Sequence, residues 1–188
     1  FAKVSGIPEN QVIGSGTILD TARLRCGLSE HYSNAQKNIH AYVFGEHGDT
    51  SFIPWSIANV CGVPADEYVE LVKNIDKDVK EVDKEAMITY VRKSGGQVIA
   101  NKGATFYAVS ASVCALCGIL AASDESMATV SSMMHGEYGI EDVCVSTLTL
   151  VGPKGIQGKV PVKLTEEEIA KLKASADALK EVIAQIEL

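Results

Sequence analysis

The sequence predicts an α+β fold, helices packed on an antiparallel sheet, and three observations carry that prediction. Two runs rich in β-branched and apolar residues, 143–151 and 156–162, are joined by Gly152-Pro153-Lys154-Gly155, a hairpin signal that makes the sheet antiparallel. Thr165-Glu166-Glu167-Glu168 reads as a capping box opening a helix with Ile169, Leu172, Ala176, Leu179, Ile183 and Ile186 on one stripe. Ile18, Leu19, Ala22 and Cys26 recur at the three-to-four spacing of a second helix. At 188 residues a single compact unit is the default.

The remaining elements follow in order. Residues 1–16 hold Gly6, Pro8, Gly14 and Gly16 and read as the end of a helix followed by a loop. The helix begun near Thr17 runs to about His31. Residues 38–44 are aromatic and β-branched and stop at Gly45, which predicts a strand and a tight turn. After Pro64 one long helix is expected, with Leu71, Val72, Ile75, Val79, Val82, Ala86 and Tyr90 as its stripe, Asp66 and Glu67 in its first turn, and Gly95-Gly96 ending or interrupting it. The small residues of 104–122 suggest a buried helix in close contact with its neighbours, and 127–134 reads as a third strand.

Composition removes several classes of function. Seventeen Lys and Arg against twenty-four Asp and Glu leave a net charge of -7, and no basic stripe could follow a phosphate backbone, so nucleic acid is not an expected partner. The longest weakly polar run, Val109 to Ala122, falls short of the roughly 20 residues that cross a bilayer, so neither a membrane span nor a signal peptide is expected. Five cysteines, Cys26, Cys61, Cys114, Cys117 and Cys144, lie mostly among apolar neighbours, which fits a reducing cytoplasm. Cys114-Ala115-Leu116-Cys117 has redox-motif spacing but sits within an apolar stretch, so core packing is the expected role. The chain begins at Phe1, not Met, and is expected to be a piece of something longer.

Two constellations can carry chemistry. Asp20 and Arg23, three apart on a helix, share a face, whereas Arg25 points roughly 200° away from Arg23, so the two arginines cannot serve one site. Spacing alone is equally met by an Asp20–Arg23 intrahelical ion pair. In Gly45-Glu46-His47-Gly48-Asp49-Thr50, glycines on both sides can hold an imidazole out in a cleft, with a pKa suited to proton transfer near neutrality. A polar turn is the competing reading there. A metal site of Glu46, His47 and Asp49 is disfavoured because no second His stands at ligand spacing, so no metal is expected. His31, His40 and His135 read individually as structural or solvated. Gly14-Ser15-Gly16 has Leu19 in place of the third glycine of a dinucleotide fingerprint, so no Rossmann domain is expected in this chain.

Read together, the segments 12–25 and 39–50, then Gly62-Val63-Pro64, Lys102-Gly103-Ala104-Thr105, Thr129-Val130-Ser131 and Gly136-Glu137-Tyr138-Gly139, resemble in order the carboxy-terminal, substrate-binding half of the L-lactate dehydrogenase family. The resemblance implies a lactate/malate dehydrogenase C-terminal-domain-like fold. Residues 1–16 would be the remnant of an inter-domain segment and 17–188 the catalytic domain, cut at the domain junction.

The resemblance also implies roles. His47 would exchange a proton with the pyruvate/L-lactate oxygen, Asp20 would hold the other imidazole nitrogen, and Arg23 would grip the substrate carboxylate with its planar fork. Thr105 would line the substrate pocket, and Ser15 and Val109 would lie against the nicotinamide of NAD. Arg25 and His40 match positions where bacterial, allosteric members bind fructose 1,6-bisphosphate across a subunit interface, which implies a homotetramer. Phe52-Ile53-Pro54-Trp55-Ser56 and Gly95-Gly96 depart from the common family pattern, the second on the pocket wall. A malate dehydrogenase of the same superfamily shares Asp20, Arg23 and His47, while Glu46 and Thr105 look like the lactate enzyme. A non-catalytic oligomerisation or effector-binding module is the reading from a different class. Lacking a nucleotide fold, the isolated chain is expected to be inactive.

Overall fold

The computed structural model describes residues 1–186. Its elements in chain order are α1 (Ile18–His31), β1 (Ile39–His40), β2 (Asn59–Val60), β3 (Val63–Pro64), α2 (Ala65–Val72), α3 (Lys84–Lys102), α4 (Tyr107–Ala121), β4 (Ser126–His135), β5 (Glu141–Gly152), β6 (Gly155–Lys159) and α5 (Glu166–Ile183). Two antiparallel sheets, β1-β2-β3 and β4-β5-β6, are covered by helices, which is the predicted class.

The larger sheet is the frame. β4 and β5 pair from Ser126↔Val151 to His135↔Glu141, and the β5–β6 hairpin closes on Gly152↔Gly155, at the turn signal read from the sequence. Alternation buries Val143 and Val145 against Leu172 and Ala176 of α5, with Phe44 and Met134 completing this core. α5 starts as expected: the Thr165 hydroxyl accepts from the Glu168 N–H while the Glu168 carboxylate accepts from the Thr165 N–H. A second core forms where Leu24 and Leu28 of α1 meet Ile39, Val43, Val60 and Val91.

The structure corrects several expectations. The long helix after Pro64 is two helices, and the break lies at 73–83, not at Gly95-Gly96. At the break the Asp76 carboxylate accepts from the Asp78 N–H, a local bond that competes with helix, and the Asp83 side chain then caps α3 by accepting from the Ala86 N–H. The expected stripe therefore does not exist: Leu71, Ile75 and Tyr90 are exposed, while Val79 and Val82 still pack on the core. α3 runs through both glycines and stops at Gly103, whose φ of 81° suits the left-handed cap.

The strand expected over 38–44 shrinks to β1, followed by an isolated bridge at Phe44–Phe52, because the chain leaves the small sheet to reach the larger one. The strand expected over 156–162 ends at Lys159. Residues 1–16 form a turn in which Val4 and Ser5 donate to the Phe1 carbonyl, then a short 3-10 turn at Glu9–Gln11, with no α-helix end. α4 is not a buried helix: Leu116 alone is buried, against Val130 and Val151. Cys114, Cys117, Cys26 and Cys61 are exposed and Cys144 is half-buried, so the cysteines are not core residues. Ile183 and Ile186, expected on the apolar stripe of α5, are exposed beyond its contact with the sheet. Among the described residues no helix is long and apolar enough to cross a membrane.

Candidate active site

Asp20 sits in the first turn of α1 and is 4% exposed. A buried carboxylate needs partners, and it has two. The His47 Nδ1–H donates to Asp20 Oδ2 at 2.6 Å, and Arg23 Nη1, one helical turn on, donates to Oδ1 at 3.3 Å. The i, i+3 ion pair with Arg23 therefore does not exclude a second role for Asp20, since its other oxygen accepts from His47.

His47 reaches Asp20 because its loop is pinned at both ends. Gly45 has φ 99° and lies against Ser175, where a Cβ would stand 2.7 Å from Oγ, so no other residue fits this turn unstrained. Gly45 pairs with Ser146 and Phe44 with Phe52. The Glu46 N–H donates to Ser175 Oγ at 2.7 Å, Thr50 Oγ1 donates to Glu46 Oε1 at 2.8 Å, and Ser51 Oγ donates to the Gly48 carbonyl at 2.8 Å.

α1 is tied to the strand that leads into this loop. The Val43 N–H donates to Thr21 Oγ1 at 3.0 Å, Thr21 Oγ1 meets Thr129 Oγ1 at 3.0 Å, and Thr17 Oγ1 donates to the Val43 carbonyl. Nothing in the sequence signals a positioning role for Thr17, Thr21, Thr50, Thr129 or Ser175, because hydroxyls that bond across the fold have no periodic signature.

The imidazole is 62% exposed, and among the described residues nothing hydrogen-bonds its Nε2. The Asp20 hydrogen bond holds the His47 pKa above its ordinary value, against the opposing pull of partial burial and of the Arg23 charge. Arg23 is largely buried, and α3 passes it at Gly95, where a Cβ would stand 3.7 Å from Nη2. The arrangement offers a proton donor at Nε2 beside a guanidinium, which suits proton transfer to a small carboxylate-bearing molecule.

Hydrogen bonds join Asp20, Arg23 and His47 and no other predicted site residue. Thr105 stands half-buried in the α3–α4 connection, Val109 is exposed on α4, and Ser15 is exposed between the Gly14–Ser131 bridge and α1. Arg25 points away from Arg23 as its spacing requires: Nε donates to the Ala41 carbonyl at 3.0 Å and the guanidinium lies 4.9 Å from the Tyr42 ring centroid. His40 is exposed on β1, next in sequence to that carbonyl. Among the described residues no group of three or more His, Cys, Asp or Glu side chains is placed to hold a metal ion.

Residues 17–187 match the family described as lactate/malate dehydrogenase, alpha/beta C-terminal domain. The chain belongs to this family. The lactate/malate dehydrogenase match takes in α1, the His47 loop and all of the larger sheet, so the resemblance drawn from the motifs holds for the fold as a whole.

Among curated relatives, the L-lactate dehydrogenase of Acetivibrio thermocellus is 41% identical over 186 residues, covering 99% of this chain and 58% of that protein. That of a Thermoanaerobacter species is 39% identical, covering 99% and 59%. Solved structures agree: an L-lactate dehydrogenase from Clostridium thermocellum superimposes with a TM-score of 0.88 at 35% identity over 99% of this chain and 60% of that one. A minor L-lactate dehydrogenase from Enterococcus mundtii gives 0.90 at 29% identity, covering 99% and 58%. The chain thus spans just under three-fifths of the length of the curated relatives it matches.

Proposed function

We propose that this chain is the substrate-binding half of an NAD-dependent L-lactate dehydrogenase interconverting pyruvate and L-lactate. The observation that carries the reading is the Asp20–His47 bond of 2.6 Å with Arg23 on the same carboxylate. The relatives named L-lactate dehydrogenase give it its substrate. Residues 17–188 are the catalytic domain, and 1–16 lead to it from the segment that joins a nucleotide-binding half.

Arg23 receives the substrate carboxylate on its planar fork and so fixes the 2-oxo group toward His47. Protonated His47 gives its Nε2 proton to the carbonyl oxygen in pyruvate reduction and recovers it from the lactate hydroxyl in the reverse direction. Asp20 keeps Nδ1 protonated, sets the ring plane and offsets the imidazolium charge. Thr105 lines the pocket. NAD, when bound, supplies or accepts the hydride, and the exposed Ser15 and Val109 offer polar and apolar surface to the nicotinamide side. Since most of that cofactor is held elsewhere, residues 1–188 alone turn over no substrate.

Arg25 and His40 receive fructose 1,6-bisphosphate between subunits of a homotetramer, and the reaction belongs to cytoplasmic fermentation. Substrate saturation curves of the whole enzyme test both parts. The sugar bisphosphate is expected to shift the curve, and His47→Gln is expected to lower kcat by at least about a hundredfold with little change in KM. A His47→Gln enzyme with undiminished kcat would overturn the catalytic reading, and an unmoved saturation curve would overturn the effector.

A further inference from the structure

Thr50, Phe52 and Trp55, which follow the His47 loop in sequence, help line a cleft of about 690 Å³ whose walls include none of Asp20, Arg23 and His47. α3 forms one wall and presents Glu85, Ile88 and Arg92, residues i, i+3 and i+7 of a single helical face, so the stripe reads anion, apolar, cation over roughly 10 Å. Trp55 lines the same cleft, and it is the one tryptophan of the chain.

Most charges around the cleft are already answered. Lys84 pairs with Asp66 at 2.7 Å and Lys171 with Glu167 at 2.7 Å, while the Glu168 carboxylate accepts from the N–H groups of Ser56 and Thr165. Arg92 differs. Its Nη2 donates to the Ser51 carbonyl, and among the described residues it pairs with no carboxylate. A guanidinium has five N–H donors in a fork that matches a carboxylate, so one neutral acceptor leaves most of its capacity unused. Two turns away Glu85, also without an ion-pair partner among the described residues, sets a negative charge that a second anionic group on the same ligand would meet.

We propose that this cleft binds a small monocarboxylate with an apolar body, the carboxylate on Arg92 and the body over Ile88 and Trp55. The site is independent of the dehydrogenase reading, since it uses none of Asp20, Arg23 or His47.

Trp55 makes the test direct. The chain is titrated with 3-phenylpropionate while Trp55 emission is followed at wavelengths where the probe does not absorb. A saturable change is expected, absent with the uncharged 3-phenylpropionamide. Adding a second carboxylate at the far end of the ring weakens binding, and Glu85→Gln removes that penalty. Arg92→Gln weakens the monocarboxylate by about ten- to a hundredfold, the loss expected for a charge-assisted pair, and Arg92→Lys falls between. An equal response to the amide, or no saturation, overturns the proposal, as does unchanged affinity in Arg92→Gln. If losing the Ser51 contact unfolds Arg92→Gln, the Glu85→Gln comparison still decides, since a dicarboxylate penalty that persists there also overturns it.

Discussion

Nδ1 of His47 lies 2.6 Å from Oδ2 of Asp20, and the other oxygen of that carboxylate faces Arg23 Nη1 at 3.3 Å. One buried anion thus orients the imidazole and the guanidinium beside it. The ring's tautomer and the direction of the guanidinium are set by a single residue in the first turn of α1.

His47 gains a partner on folding, so its folded pKa is raised and the bond adds stability below the unfolded value of roughly 6.5. That contribution is lost as pH rises through the folded pKa. Asp20→Asn should therefore lower Tm more at acidic than at alkaline pH, and should bring the His47 ring titration, followed by NMR, down toward its ordinary value. In the whole enzyme, pyruvate reduction should fall as pH rises through the His47 pKa, and Asp20→Asn should move that limb to lower pH. A limb that does not move refutes Asp20's part.

General acid–base groups contribute roughly 10²- to 10⁴-fold. His47→Gln in the whole enzyme should accordingly lower kcat by at least about a hundredfold, with little change in KM, because the carboxylate grip remains on Arg23. Arg23→Lys should do the reverse: KM for pyruvate rises by about tenfold or more as the two-pronged contact is lost. Steady-state kinetics of the two variants separate the roles.

Gly95 and Gly96 lie inside α3 with helical backbone, and neither is required by its surroundings. A Cβ at Gly95 would make an ordinary contact with Arg23 at 3.7 Å, and one at Gly96 would meet nothing within 4 Å. Each Gly→Ala change should stabilise by up to about 1 kcal/mol. A lower Tm for either variant contradicts this account.

Lys159 donates to Ser132 Oγ at 2.6 Å within the sheet, and burial pushes its pKa down to about 8. The folded state then holds fewer protons than the unfolded one between about pH 8 and the ordinary lysine value near 10.4, so stability should rise across that window. The effect is no more than about 3 kcal/mol for a shift of this size. Lys159→Met should flatten the rise, read from Tm against pH for the two proteins side by side.

The sequence by itself determined the elements whose cause is local. The capping box at Thr165–Glu168, the Gly152–Gly155 turn and the α1 face shared by Asp20 and Arg23 follow from bonds and angles within a few residues. It also showed, by spacing alone, that Arg25 must leave Arg23, and it does. The break at 73–83 was legible in principle, through Asp76 and Asp83, but the apolar period across it masked the local competition.

Tertiary structure decided what distance along the chain hides. Twenty-seven positions separate Asp20 from His47, and their meeting depends on hydroxyl pairs such as Thr21–Thr129 and on Ser175 reaching back from α5 to the His47 loop. The exposure of Cys114 and Cys117 was decided the same way, because burial depends on what lies opposite a helix, and small apolar residues carry no record of that.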